Sequence, residues 1–95
     1  MKDNETVRTL RMVLLQRKGG KTSARMIEQL FIRPYNTNQI AKALNISYNT
    51  AYHHFKTLFQ LQLVEKHETK YGTYYEAKEN LIREKESFEE IKKLI

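Results

Sequence analysis

At 95 residues the chain is sized for one small domain, and such a domain buries only about 60–65% of the surface its unfolded chain exposes, so association would help its marginal core. Seventeen Lys and Arg against 11 Asp and Glu leave a net charge of +6, which favours a polyanionic partner over an acidic or neutral one. The absence of cysteine excludes disulfides and thiolate metal sites; no apolar run reaches the roughly 20 residues of a membrane span, and no signal-peptide core stands at the N-terminus, so a cytoplasmic protein is expected.

Residues 6–17 (TVRTLRMVLLQR) put Val7, Leu10 and Leu14 on one face and read as an amphipathic N-terminal helix, although the continuous run Met12–Leu15 suits a strand as well. Lys18–Lys21 (KGGK) is a basic break that reads as a flexible connector; it lacks the spacing of a phosphate-binding loop. Residues 22–33 form the first core helix, with Thr22 as its cap and Ile27, Leu30 and Phe31 inward. Pro34 ends it, because the residue before a proline avoids the helical region. Tyr35 is placed on a short strand, and Asn36 with Gln39 three residues later has the pattern of a capping box.

Residues 36–60 then read as two short helices joined by a tight turn. Ile40, Ala41 and Leu44 make one stripe, with Ala41 small where the next helix crosses. Asn45 sits at the break, where Asn tolerates the left-handed conformation, and Ser47 is a good N-cap for the helix beyond the turn. In that second helix, 48–60, Ala51, Phe55 and Leu58 face inward. Tyr48, Asn49, Tyr52, His53 and Lys56 are left outward. No Asp or Glu occurs between Glu28 and Glu65, as a surface that approaches phosphates requires. This is a helix-turn-helix pattern with its second helix free to read a DNA major groove. Without arginine on that helix, Asn49 is the best base reader and favours adenine, while Tyr48 and Tyr52 suit a thymine methyl or a base edge.

Residues 61–78 are expected to form a two-stranded β-hairpin, with Leu61–Glu68 alternating at period two, a turn at Thr69–Gly72, and Thr73–Lys78 returning. Placed directly after a helix-turn-helix, such a hairpin is a wing whose tip presents Lys70 and Tyr71. Tyr74 and Tyr75 point to opposite faces, so only one is core. Residues 79–95 read as a C-terminal helix with Leu81, Phe88, Ile91 and Ile95 on one stripe, and its carboxylates as a solvated face. The two terminal stripes, Val7, Leu10 and Leu14 with Leu81, Phe88, Ile91 and Ile95, are assigned to a homodimer interface.

The stretch NQIAKALNISYNTAYHHFKTLFQLQLVEK resembles the winged helix-turn-helix regulators of the arsenic-repressor-like (ArsR) family, most of all its small archaeal members. The likeness covers roughly residues 20–78, and its specific part is the helix-turn-helix. It implies a mainly α (α+β) fold with a β-hairpin wing and additional terminal helices, and a homodimeric regulator placing one recognition helix per protomer in adjacent major grooves. Two departures stand out. Asn45 and Gln62 occupy positions where the family usually has glycine, and the cysteine-based metal site of the metal-sensing members is absent.

Candidate phosphate contacts are Arg17, Lys18, Lys21, Arg25, Lys42, Ser47, Thr50, Lys70 and Tyr71. His53 and His54 are adjacent, so on a helix they point about 100° apart and cannot chelate one ion; His67 lies alone in the hairpin. No metal and no cofactor are therefore expected. No nucleophile–base arrangement survives inspection, so the protein is not expected to be an enzyme. The leading reading is a sequence-specific, nucleoid-associated DNA-binding regulator. The other is a winged-helix module for protein or RNA contacts, kept open because Lys56 is the only fixed cation on the recognition helix.

Overall fold

The computed structural model describes residues 4–95; Met1–Asp3, counted in the expected domain, lie outside the described residues. Helix α1 spans Glu5–Arg11, capped by the Asn4 side chain, which accepts from the Val7 N–H, with Glu5 in the first turn where the helix dipole favours an anion. It runs on into a π-helical turn, Met12–Gln16, so the segment is helical and not a strand. The wider turn lets the neighbours Val13 and Leu14 both face inward.

Helix α2 is Gly20–Ile32. Its N-cap is Gly19 in the left-handed region (φ 79°) rather than Thr22, and Gly20 is its first residue. A Cβ on Gly20 would fall 2.2 Å from the Leu14 carbonyl oxygen. The paired glycines are thus a close-packed corner and not a loose connector. Arg33 is extended ahead of Pro34, as expected, and Tyr35–Asn36 forms the short strand β1.

Helix α3 (Thr37–Leu44) opens on the full capping box: Asn36 Oδ1 accepts from Gln39 N at 2.7 Å, and Gln39 Oε1 accepts from Asn36 N at 2.9 Å. It ends at Asn45 in the left-handed conformation (φ 55°), and the Ile46 N–H reaches back to the Ala41 carbonyl. Helix α4 (Tyr48–Gln60) is capped by Ser47, whose Oγ accepts from Thr50 N. Ala51, Phe55 and Leu58 are fully buried, as their spacing requires.

The wing consists of β2 (Val64–Thr69) and β3 (Gly72–Ala77), antiparallel. β1 adds on the other side of β3, so the sheet has three strands in the order β1-β3-β2 where a two-stranded hairpin was expected. Nor does β2 begin at Leu61: Leu61–Leu63 is a turn, and the Leu63 N–H closes it onto the Leu58 carbonyl. Gln62 takes φ 66° there, the left-handed region that only glycine enters without strain. The strain, about 1–2 kcal/mol, is held by Lys78 Nζ donating to Gln62 Oε1 and Asn80 Nδ2 donating to the Gln62 carbonyl. Of the two adjacent tyrosines, Tyr75 is buried and Tyr74 exposed.

The C-terminal segment is two helices, α5 (Glu79–Arg83) and α6 (Lys85–Lys92), not one. The break is at Glu84 (φ −102°, ψ 24°), which is buried and not part of a solvated face. Its carboxylate accepts from Asn4 Nδ2 at 3.0 Å and from Ser87 Oγ at 3.2 Å, tying the chain's two ends together.

That tie overturns the assignment of the terminal stripes. Val7, Leu10, Leu14, Leu81, Phe88 and Ile91 are all buried within one chain, in the same hydrophobic cluster as Ile40, Phe55 and Leu58. Phe88 packs edge-on to Phe31 at 5.4 Å. The stripes cover each other and α2, so they are not a surface left for a second copy; of the seven residues only Ile95 stays exposed.

Candidate nucleic-acid interface

Helix α4 is held from three sides. Its buried stripe packs on α3 across the Asn45 turn, Phe55 stacks on Tyr75 of the wing at 4.1 Å, and His54 meets α2 through Ser23 Oγ, 3.0 Å from its Nδ1. The opposite face carries Tyr48, Asn49, Tyr52, His53 and Lys56, all exposed. The structure therefore gathers every residue assigned to base reading on one helix face. The Tyr48 and Tyr52 rings lie nearly parallel with centroids 6.5 Å apart, and His53 meets Tyr52 edge-on at 5.9 Å.

The residues assigned to phosphates fall in three groups. Ser47, Thr50 and Lys42 flank the start of α4 and are exposed; Ser47 Oγ also donates to Thr50 Oγ1 at 2.9 Å, so both hydroxyls are already engaged in the cap. Arg17 and Lys18 line a cavity of about 90 Å³ with Ser23, His53, His54 and Thr57, beside the middle of α4, and Lys21 is exposed on the first turn of α2. At the wing tip Lys70 Nζ stands 5.2 Å over the Tyr71 ring, the most exposed large apolar side chain among the described residues. Arg25 is a different case. Its Nη2 donates to the Leu44 carbonyl at 2.9 Å, so it caps the end of α3 and braces the inter-helix turn.

Sequence reasoning missed the groove between α4 and the wing. Tyr48 and Tyr52 form one wall, Lys66, Thr73 and Tyr75 the other, and Asn36–Asn38 at the start of α3 close the end, around about 320 Å³. Lys66 is a cation facing α4 across this groove. Its period-two position with Val64 was visible, but that Val64's face turns toward α4 is decided by tertiary packing.

Burial lowers the His54 pKa from 6.5, and the positive charges of Arg17 and His53 push it the same way, favouring the uncharged ring. Burial likewise pushes the Tyr75 phenol above 10.

Residues 20–66, from the start of α2 to the third residue of the wing, match the model of the bacterial regulatory proteins of the arsR family. This segment belongs to the ArsR family. The match includes both helices of the helix-turn-helix, the Gln62 corner and the whole exposed face of α4, so the family's DNA-binding element is the one described above. No curated protein matches the chain. Among the described residues no helix is long and apolar enough to cross a membrane.

Proposed function

We propose that this ArsR-family protein is a sequence-specific regulator that binds duplex DNA as a homodimer, with α4 in the major groove and the wing tip near the backbone or minor groove. One observation carries the reading: the exposed face of α4 offers two phenols, an amide, an imidazole and an ammonium, within the stretch between Glu28 and Glu65, which contains no carboxylate. Such a face donates and accepts hydrogen bonds at base edges and does not repel phosphates. Nothing in it resembles a catalytic set, and a non-enzymatic role fits the same face.

The dimer is part of this proposal for an energetic reason. Lys56 is the one fixed cation on the face of α4, and two such helices about 34 Å apart would double the contacts. Since the terminal stripes are closed within the protomer, the joint must use apolar groups left outside, such as Ile32, Ile82, Leu94 and Ile95.

Selection on random duplexes, followed by titration against salt, tests the reading. Each phosphate contact adds about 0.9 to the magnitude of the log–log salt slope. Asn49→Ala or Tyr52→Ala should cost about 1–3 kcal/mol on the selected site and flatten discrimination at one position. Lys70→Ala and Lys66→Ala should weaken all sequences alike. Binding to RNA or protein without salt-sensitive duplex binding would instead favour an interaction module, and sedimentation as a monomer would remove the dimer.

A further inference from the structure

The outer face of the wing carries a cluster that DNA reading leaves unused. In the β2–β3 register Glu65 stands opposite Glu76, and His67 opposite Tyr74. Residues paired across a ladder, or two apart along a strand, share a face. Glu65, His67, Tyr74 and Glu76 therefore point away from the face that buries Val64, Tyr75 and Ala77. His67 Nε2 lies 2.7 Å from Glu76 Oε1 and 3.8 Å from Glu65 Oε2. One ligand atom from each of the three residues lies within 4.8 Å of the other two. The imidazole does not swing freely, for it stacks on the Tyr74 ring at 4.9 Å with 22° between planes, which keeps Nε2 turned to the carboxylates.

We propose that Glu65, His67 and Glu76 form a binding site for one divalent transition-metal ion, of which zinc is the representative. One imidazole nitrogen and two carboxylate oxygens are a donor set for such ions, and three protein ligands leave a coordination position for water. Metal–ligand distances of about 2.0–2.2 Å set neighbouring donor atoms about 3.3 Å apart. The observed pairs bracket that spacing, one tighter and one wider. Both glutamates are partly exposed and adjust by side-chain rotation, while the strand register keeps the backbones fixed. The ion would also relieve a local conflict, since like charges directly opposite on a ladder repel. It would pin the hairpin two residue pairs behind its tip, where Lys70 and Tyr71 stand. The expectation of no metal rested on His53 and His54 and on His67 taken alone. Glu76 joins His67 only through strand pairing, which sequence spacing does not display.

Calorimetric titration of metal-stripped protein with zinc, paired with NMR of the histidine rings and backbone amides, tests the site and does not depend on DNA binding. One ion per chain is expected, with shifts at the His67 ring and at amides 65–67 and 74–76. His67→Gln should weaken binding at least about tenfold and Glu76→Gln comparably, by loss of a ligand, while circular dichroism checks that substitution of these half-buried side chains leaves the fold intact. Excess magnesium should not displace zinc, because it prefers an all-oxygen octahedral shell. Absence of saturable binding would overturn the proposal. So would shifts centred on His53 or His54, an isotherm unchanged in His67→Gln, or full competition by magnesium, which would mark a plain carboxylate cluster.

Discussion

The helix-turn-helix and the terminal helices use the same material, apolar side chains at one-turn spacing, but their stripes are closed by different partners. In α3 and α4 the partner is the adjacent element, brought round by a short turn whose devices are local: Asn36 and Gln39, Asn45, Ser47. In α1, α5 and α6 the partner is the far end of the chain. Asn4 and Glu84 are 80 residues apart and Asn80 and Thr6 are 74 apart, yet each pair is hydrogen-bonded. Local stereochemistry specifies the first kind of closure. The second depends on the whole chain having collapsed, and a stripe awaiting it looks the same in sequence as a stripe awaiting a second copy.

The contrast between the two regions breaks most visibly at Phe88, which is fully buried against Phe31. Phe88→Glu leaves a cavity and a carboxylate without a designed partner in it. The cavity alone costs about 3–5 kcal/mol, a large part of the roughly 5–15 kcal/mol a small domain has. The variant should be largely unfolded by circular dichroism at room temperature. Leu94→Glu, on the exposed end of the same segment, should leave the stability of the single protomer's fold within about 0.5 kcal/mol of native, whatever it does to the proposed dimer. A folded, monomeric Phe88→Glu protein would restore that residue to an interface.

Gly20 comes next, at the joint between the N-terminal helical segment and α2. Gly20→Ala drives a Cβ into the Leu14 carbonyl, backbone against backbone, with no flexible side chain to yield. The expected loss is about 1–3 kcal/mol, read from denaturant midpoints. A neutral result would mean that the π turn shifts freely and that KGGK is the loose connector its composition suggests.

What was legible in the sequence divides along the same line. Both caps, the left-handed Asn45, the proline stop and the inward triad of α4 are set by side chains within four residues of the backbone groups they serve, so spacing alone reveals them. The exposed face of α4, proposed to read bases, is then the remainder, the side chains that the inward triad leaves over. Illegible were the features made by distant approach: the buried Glu84 that splits the last helix, β1 joining β3, Lys66 across the groove from Tyr52, and Arg25 bracing Leu44 instead of standing free for a phosphate. Arg25 is instructive, since a lysine or arginine on an exposed helix face gives no sign of which acceptor it will find.

Within the local region, Ser47→Ala removes the hydroxyl that accepts from Thr50 N and leaves the first turn of α4 with an unmet donor. About 1 kcal/mol of stability should be lost. The larger consequence should appear in function: α4 begins at Tyr48, so fraying there should weaken duplex binding by more than the lost stability explains. Equal DNA affinity in the variant would show that the start of α4 is set by Ile46 and the Asn45 turn, with the cap contributing stability only.

The smallest expected effect lies where α4 meets α2, at His54. Its ring comes from α4 but sits half-buried against α2, with Ser23 Oγ 3.0 Å from Nδ1 and Gly19 so close that a Cβ there would be 2.8 Å from Cε1. Burial, then Arg17, then His53, lower its pKa below the ordinary 6.5. Above about pH 7.5, a unit over the ordinary 6.5, the ring is essentially neutral in both folded and unfolded chains and contributes no pH dependence. As pH falls below that value the unfolded chain takes up a proton that the folded one resists, so stability declines until the folded pKa is passed. Melting curves between about pH 7.5 and pH 5 should therefore slope downward in the native protein. The slope should be smaller in His54→Gln, whose amide does not titrate. Because slopes are compared, an overall loss of stability in the variant does not confuse the result. Parallel slopes would mean that the folded state accommodates the imidazolium as easily as water does, and that Arg17 moves aside when it forms.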